Sequence, residues 1–141
     1  MRYMLMIFSE ETPPDQVSPE QWQQIADEYN AFGRMLRERT TLEAGEQLED
    51  GNTATTIRVR EGRTLTTDGP FIESKEQFGG YYQFHAKDLD EAIELAAQCP
   101  GARYGTVEIR PIVEWGDETG DQLEAEQVRA QRAETQRVAT S

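Results

Sequence analysis

The highest density of reactive side chains in this sequence follows the turn at residues 68–71. Glu73, Lys75 and Glu76 occur within four positions, just before a predicted strand that begins at Gly79. Two carboxylates beside an ammonium group at the start of a strand can bind a small polar molecule, with Lys75 as the contact for an anionic group. The alternative is a solvated loop, which is commoner for such charges.

A second set of polar residues lies near the end of the chain's predicted folded part. Arg103 follows the second predicted helix, and Glu108 and Arg110 share one face of the last strand because strand side chains alternate. These residues predict a polar patch in a cleft, and the alternative is an exposed ion pair of little energetic value. Tyr81 and Tyr82 point to opposite faces of their strand, so one can line a pocket. The candidate ligand-binding residues are Asp68, Lys75, Tyr82, Arg103 and Arg110.

Spacing predicts no metal and no cofactor. The one histidine, His85, has no further ligands at metal-binding distance in the sequence, and the one cysteine, Cys99, is typical of a small buried residue near a helix C-terminus. Gly79 and Gly80 are not surrounded by a phosphate-loop pattern. No residue is assigned a catalytic role, and the sequence leaves open whether the protein is an enzyme.

Composition restricts the partners. The chain has 141 residues, 27 acidic and 14 basic, with a net charge of −13, which fits one small domain. The negative charge repels nucleic-acid phosphates and anionic lipids, and no stretch has the length and apolar character of a membrane span. A single cysteine requires no oxidising compartment. We therefore predict a cytoplasmic protein with neither nucleic-acid nor membrane partners.

The composition changes after Trp115. Residues 116–141 contain no aromatic side chain, and their only large aliphatic residues are Leu123, Val128 and Val138. Such a segment buries little apolar surface. We predict a folding unit over residues 1–115 and a polar tail over residues 116–141 that is disordered or loosely helical.

Apolar periodicity predicts the elements that position these residues. Residues 2–8 are apolar on both alternating faces, which predicts a central strand covered on both sides. A helix is predicted after Ser18, with Gln21 completing a capping box. A second helix is predicted after Asp88. Its predicted buried residues are Leu89, Ala92, Ile93, Ala96 and Ala97, and further strands are predicted at residues 41–49, 53–60, 79–86 and 106–113.

This order of elements predicts the fold. A strand, a helix, a group of strands, a helix and a strand indicate an α+β protein: a ferredoxin-like unit with an inserted β-hairpin, in which two helices cover one face of one mainly antiparallel sheet. Two helices cannot cover both faces, yet the first strand is apolar on both. We therefore predict a homodimer in which the two sheets stack face to face.

The segment from Asp68 to Tyr82 resembles the signature of the YCII-related proteins of the DGPF branch. Residues 88–100 and 103–111 are similar to the second helix and the last strand of that branch. The resemblance covers nearly all of residues 1–115 and implies a dimeric α+β barrel in a small cytoplasmic protein. Its motif residues are Asp68, Gly69, Pro70, Phe71, Glu73, Lys75 and Glu76.

The resemblance implies less about function. Other YCII-related proteins carry a histidine on the first helix and an aspartate before the proline that follows the second helix, a pair linked to acid/base catalysis. Glu28 and Cys99 occupy those positions here, so the pair is absent. Relatives of this branch often occur beside extracytoplasmic-function sigma factors. Two hypotheses follow: a protein that binds a small molecule in a cleft between sheet and helices, or an interaction module that engages such a sigma factor.

Overall fold

The computed structural model describes residues 1–114 and 120–139. Six strands are present: β1 (Arg2–Ser9), β2 (Leu42–Gln47), β3 (Thr55–Arg60), β4 (Arg63–Asp68), β5 (Gln77–His85) and β6 (Thr106–Pro111). Four of them form an antiparallel sheet in the order β2-β5-β1-β6. The interior place of β1 confirms its prediction as a central strand. The strand β6, whose Pro111 has no N–H to donate, lies at an edge of the sheet.

Four helices accompany the strands: α1 (Pro19–Arg39), α2 (Leu89–Ala96), α3 (Gly101–Tyr104) and α4 (Gly120–Ala139). The predicted capping box opens α1, because the Ser18 hydroxyl accepts from the Gln21 N–H and the Gln21 side chain accepts from the Ser18 N–H. Asp88 caps α2 by accepting from the Glu91 N–H, whereas the Glu91 carboxylate accepts from the Lys87 N–H. The short helix α3 was not predicted.

The helices α1 and α2 pack on the same face of the sheet. Phe32 and Leu36 of α1 and Leu95 of α2 share one hydrophobic cluster with Tyr3 and Phe84 of the sheet. The rings of Tyr3 and Phe84 stack with their centroids 6.3 Å apart. This arrangement, with β3 and β4 inserted as a separate hairpin, confirms the ferredoxin-like α+β fold.

The buried side of α2 differs from the prediction. Ile93 is 49% exposed and Ala97 is exposed, whereas Leu95, outside the predicted set, is 1% exposed. The predicted and observed stripes share Ala92 and Ala96. The observed stripe continues to the buried Cys99, because residues three and four apart lie on one helix face.

Two parts of the chain lie beyond the main sheet. The strands β3 and β4 pair only with each other, and every residue of β4 is exposed. The helix α4 contributes Val128 to the core cluster. The predicted boundary between residues 115 and 116 lies outside the described residues. No helix within residues 1–114 or 120–139 combines the length and the apolar character needed to cross a membrane.

Candidate functional site

A cavity of about 650 Å³ lies between the N-terminal half of α1 and the end of the sheet where β2 meets β5. The helix contributes Trp22, Ile25 and Tyr29 to its walls, and the sheet contributes Ile7 and Tyr82. The segments that follow β1 and β2 complete the wall. Their lining residues are Ser9, Glu10, Glu11, Thr12, Val17, Leu48, Glu49 and Asp50.

Glycines create much of the space on the sheet side. Gly45, Gly79, Gly80 and Gly101 all line the cavity. The ring of Tyr82 lies over Gly45, where a Cβ atom would be 2.7 Å from the ring Cδ1 atom. Because these positions carry no side chain, the backbone itself forms part of the wall.

The floor of the cavity offers hydroxyl groups that stay protonated. The Tyr29 hydroxyl hydrogen-bonds with the Cys99 thiol, and burial raises the pKa of Tyr29. Burial also raises the pKa of Tyr82, whose ring meets Phe32 edge-to-face with centroids 5.2 Å apart. The pKa of Cys99 is raised by burial as well, so this thiol is not a thiolate nucleophile at neutral pH. The floor can therefore donate hydrogen bonds.

The rim of the cavity carries negative charge. Its acidic residues are Glu10, Glu11, Glu46, Glu49, Asp50 and Glu76, and within the described residues no arginine, lysine or histidine lines the cavity. Glu46 alternates with Gly45 on β2, so its carboxylate lies on the face of the strand away from the cavity. Three of these groups have partners: Glu10 pairs with Lys75 at 3.0 Å, Glu11 accepts from the Gly51 N–H, and Glu76 accepts from the Thr106 hydroxyl. The rim can therefore accept hydrogen bonds from a ligand and attract a positive charge.

Of the five candidate ligand-binding residues, only Tyr82 lines the cavity. Lys75 lies outside it, with its side chain 85% exposed and its ammonium group 3.0 Å from the Glu10 carboxylate. Asp68 is exposed at the end of β4. Arg103 pairs with Glu28 at 3.0 Å on the outer surface, and Arg110 pairs with its strand neighbour Glu108 at 2.8 Å. The structure does not bring these four residues together.

The motif that begins at Asp68 serves mainly as a turn. Gly69 has a φ of 98°, a left-handed conformation that favours glycine at this turn. The guanidinium of Arg58 lies over the exposed Phe71 ring, 5.0 Å from its centroid. Glu73 is exposed in the following loop, and Glu76 is the motif residue that reaches the cavity.

The positions of the absent histidine–aspartate pair have structural partners. The Glu28 carboxylate accepts from the Tyr104 hydroxyl at 2.9 Å and from Arg103, which joins α1 to α3. Cys99 is fully buried beside Tyr29. These contacts stabilise the packing of α3 on the sheet.

A charged network lies on the sheet face opposite the helices. Glu43 lies 2.8 Å from the His85 imidazole and 2.9 Å from the Arg2 guanidinium, which also binds Glu114. Hydrogen bonds from His85 and Arg2 hold the pKa of the Glu43 carboxyl below its usual value. Within the described residues, no group of three histidine, cysteine, aspartate or glutamate side chains could hold a metal ion.

Sequence reasoning missed most of the cavity wall. Trp22, Ile25 and Tyr29 on the first helix and Gly45 on β2 are not among the candidate residues. The signal that points to them is the apolar spacing of the helix residues together with glycines on two strands, Gly45 and Gly79-Gly80.

Comparison with known proteins agrees with the fold. The family sequence model of the YCII-related domain matches residues 1–116. An uncharacterized protein of Rhizobium meliloti strain 1021 is 31% identical over 114 residues, which cover 79% of this chain and 92% of that protein. By both comparisons, this chain belongs to the YCII-related domain family.

Proposed function

We propose that this protein, as a member of the DGPF branch of its family, binds a small polar molecule in the cavity between α1 and the sheet. The observation that carries the proposal is the cavity volume of about 650 Å³. Ligand sites usually measure about 300–1,000 Å³ and combine apolar walls with a few polar groups. Apolar walls from Ile7, Trp22 and Ile25 beside the hydroxyls of Tyr29 and Tyr82 match that description.

The groups at the cavity floor support binding more directly than they support a reaction. Tyr29 and Tyr82 are protonated at neutral pH and can donate hydrogen bonds to an acceptor on the ligand. A general base would need a pKa near the working pH, which burial of these hydroxyls opposes.

A substitution that fills the cavity tests the proposal. Ile25→Trp adds an indole to the wall, and Ile93→Trp makes the same change on the exposed side of α2, away from the cavity. A metabolite library is screened for compounds that raise the Tm of the full chain. We expect compounds that stabilise the unmodified protein and the Ile93 variant but not the Ile25 variant. Equal stabilisation of both variants would contradict the proposal.

We also propose that the protein is a homodimer in which the open sheet faces stack as a dimeric α+β barrel. Met4, Met6 and Phe8 alternate with the buried residues of β1 and therefore lie on the open face. Phe78 is 40% exposed and contacts Phe8, with ring centroids 5.6 Å apart. These residues form an apolar strip between polar neighbours of the same face, Glu108 and Arg110 among them, and a second copy that covers the strip would stabilise it.

Light scattering of the purified chain checks the dimer. We expect a dimer at micromolar concentration, and a monomer for Met6→Glu, because a charge would enter the stacked faces. Ile57→Glu on the hairpin is the matched control and leaves the dimer intact. A monomeric unmodified chain would contradict the proposed homodimer.

A second candidate function is protein interaction, for which the hairpin of β3 and β4 is the supporting observation. Its exposed apolar residues, together with those of the following turn, are Ile57, Val59, Leu65, Phe71 and Ile72. The family resemblance suggests an extracytoplasmic-function sigma factor as partner. The variant Ile57→Glu would weaken binding of such a purified sigma factor if the hairpin is the contact, whereas Ile25→Trp would not.

We propose a cytoplasmic location as well. The supporting observation is that Cys99, the one cysteine of the sequence, is a buried free thiol. Nothing about that residue requires an oxidising compartment.

A further inference from the structure

We propose that the ligand of this cavity is a small organic cation, with an apolar body against the aromatic wall and an ammonium group at the carboxylate rim. The inference rests on the proposed function, since it names the charge of the molecule that the cavity takes. It differs from the interpretation of the sequence, in which Lys75 was the contact for an anionic ligand.

The charge of the rim is the first support. Six acidic residues line the cavity, and none of the lining residues is an arginine, lysine or histidine within the described part of the chain. Lys75 approaches the rim from outside the cavity, where it pairs with Glu10 and interacts with Glu76. Glu49 and Asp50 have no side-chain partner among the described residues. An anionic ligand would therefore be repelled at the rim, whereas a cation would be attracted.

The aromatic wall is the second support. Trp22, Tyr29 and Tyr82 line the same cavity as the carboxylates. The face of an aromatic ring attracts a cation, and tryptophan does so most strongly. Trp22 is 45% exposed, so its ring is available at the mouth of the cavity. An ammonium group between this ring and the rim carboxylates would gain from both.

The third support comes from the polarity gradient of the cavity. Ile7, Ile25 and the glycine backbones form its inner wall, and four of the acidic residues, Glu10, Glu11, Glu49 and Asp50, lie on the exposed segments that follow β1 and β2. A ligand with an apolar body and a terminal charge matches this gradient. A compact, highly charged cation matches it less well, because the inner wall has no carboxylate.

The test compares three probes that share a phenyl ring and differ in charge: phenethylammonium, 2-phenylethanol and 3-phenylpropionate. Each is titrated into the full chain at low salt, and the NMR signals of the Gly45, Gly80 and Gly101 amides report on the cavity. We expect the ammonium compound to bind at least about tenfold more tightly than the alcohol, a factor that corresponds to about 1.4 kcal/mol. We expect the carboxylate compound to bind most weakly. Added salt should reduce the advantage of the cation.

A double variant tests whether the rim carboxylates cause the preference for the ammonium compound. Glu49→Gln combined with Asp50→Asn neutralises two rim carboxylates without changing their size. Glu73→Gln combined with Asp90→Asn is the matched control, because both of its positions are exposed and neither lines the cavity. The advantage of the ammonium compound over the alcohol should fall several-fold in the rim variant and stay unchanged in the control.

The outcomes separate this inference from the proposed function. Tighter binding of the alcohol or the carboxylate compound at the same three amides would overturn the assignment of charge, and the cavity would remain a binding site. An unchanged preference in the rim variant would also overturn it. If none of the three probes shifted these amides at ~1 mM, a concentration that detects even weak binding, both the inference and the proposed function would fail.

Discussion

The two ends of the interface between α1 and the sheet differ although the same two elements form both. At the C-terminal end of α1, Phe32 and Leu36 pack on the sheet and are 4% and 0% exposed. At the N-terminal end, Trp22 and Ile25 line a cavity of about 650 Å³. One helix thus closes the core at one end and leaves a site open at the other.

The difference comes from the sheet and not from the helix. The apolar stripe of α1 runs through both ends with the same spacing. Opposite the closed end, the sheet presents the large side chains of Tyr3 and Phe84. Opposite the open end it presents Gly45, and Gly80 lies beside it on the next strand. A regular apolar stripe on a helix can therefore form a core or a binding site, depending on the size of the side chains that face it.

The largest expected effect comes from Leu36→Ala at the closed end. Leu36 is fully buried, so the substitution should lower the free energy of unfolding by about 2–5 kcal/mol. Ile25→Ala at the open end should cost about 1 kcal/mol or less, because that side chain already borders a cavity. Urea denaturation of both variants measures the difference. Equal losses would mean that the two ends are packed alike.

A smaller effect is expected from Gly45→Ala at the open end. The new Cβ atom would be 2.7 Å from the Tyr82 ring, so the ring must move, at a cost of about 1–3 kcal/mol. Gly79→Ala is the matched control, since its Cβ would have 4.0 Å to the nearest atom and should change stability by about 0.5 kcal/mol at most. Thermal and urea unfolding of the two variants compare them. An equally stable Gly45 variant would show that the Tyr82 ring does not pack on this glycine.

The smallest effect concerns Tyr29, which also lines the cavity and hydrogen-bonds with the buried Cys99. Burial raises the pKa of the Tyr29 hydroxyl in the native state. The stability that this protonated hydroxyl contributes is therefore complete below the usual tyrosine pKa of about 10, and it is lost as the pH rises beyond that value. The variant Tyr29→Phe should therefore lose less stability between about pH 9 and 11 than the unmodified chain. Urea unfolding across this range tests it, and identical pH dependence would contradict the burial of Tyr29.

Local features of the sequence were enough to predict most elements of the fold. The capping box of Ser18 and Gln21 and the cap at Asp88 depend on residues close in the chain, and α1 and α2 begin where these residues indicate. The buried side of α2 was predicted only in part, because Leu89, Ala92 and Ala96 pack on the core but Ile93 and Ala97 are exposed. Ala92 and Ala96 belong to two possible stripes, and only packing against the sheet selects the one that contains Leu95.

The candidate site was harder to predict because its parts are distant in the chain. Lys75 and Arg103 have the residue types expected of an anion site, yet Arg103 pairs with Glu28 outside the cavity, and Lys75 pairs with the rim residue Glu10 from outside it. The walls come instead from the apolar residues of α1, the segments after two strands, and glycines that carry no side chain to attract notice. A search for reactive residue types cannot find a site whose main feature is empty space.

The sequence by itself determined the α+β class, the order of the strands along the chain, the start of α1 and the strong negative charge. These follow from periodicity, capping and composition, which are properties of neighbouring residues. Only the tertiary structure decided that the cavity lies beside Tyr82 and that acidic rather than basic residues line its rim. Pairing of β2 with β5 brings Gly45 under Tyr82, and no local pattern encodes which residues meet across a sheet.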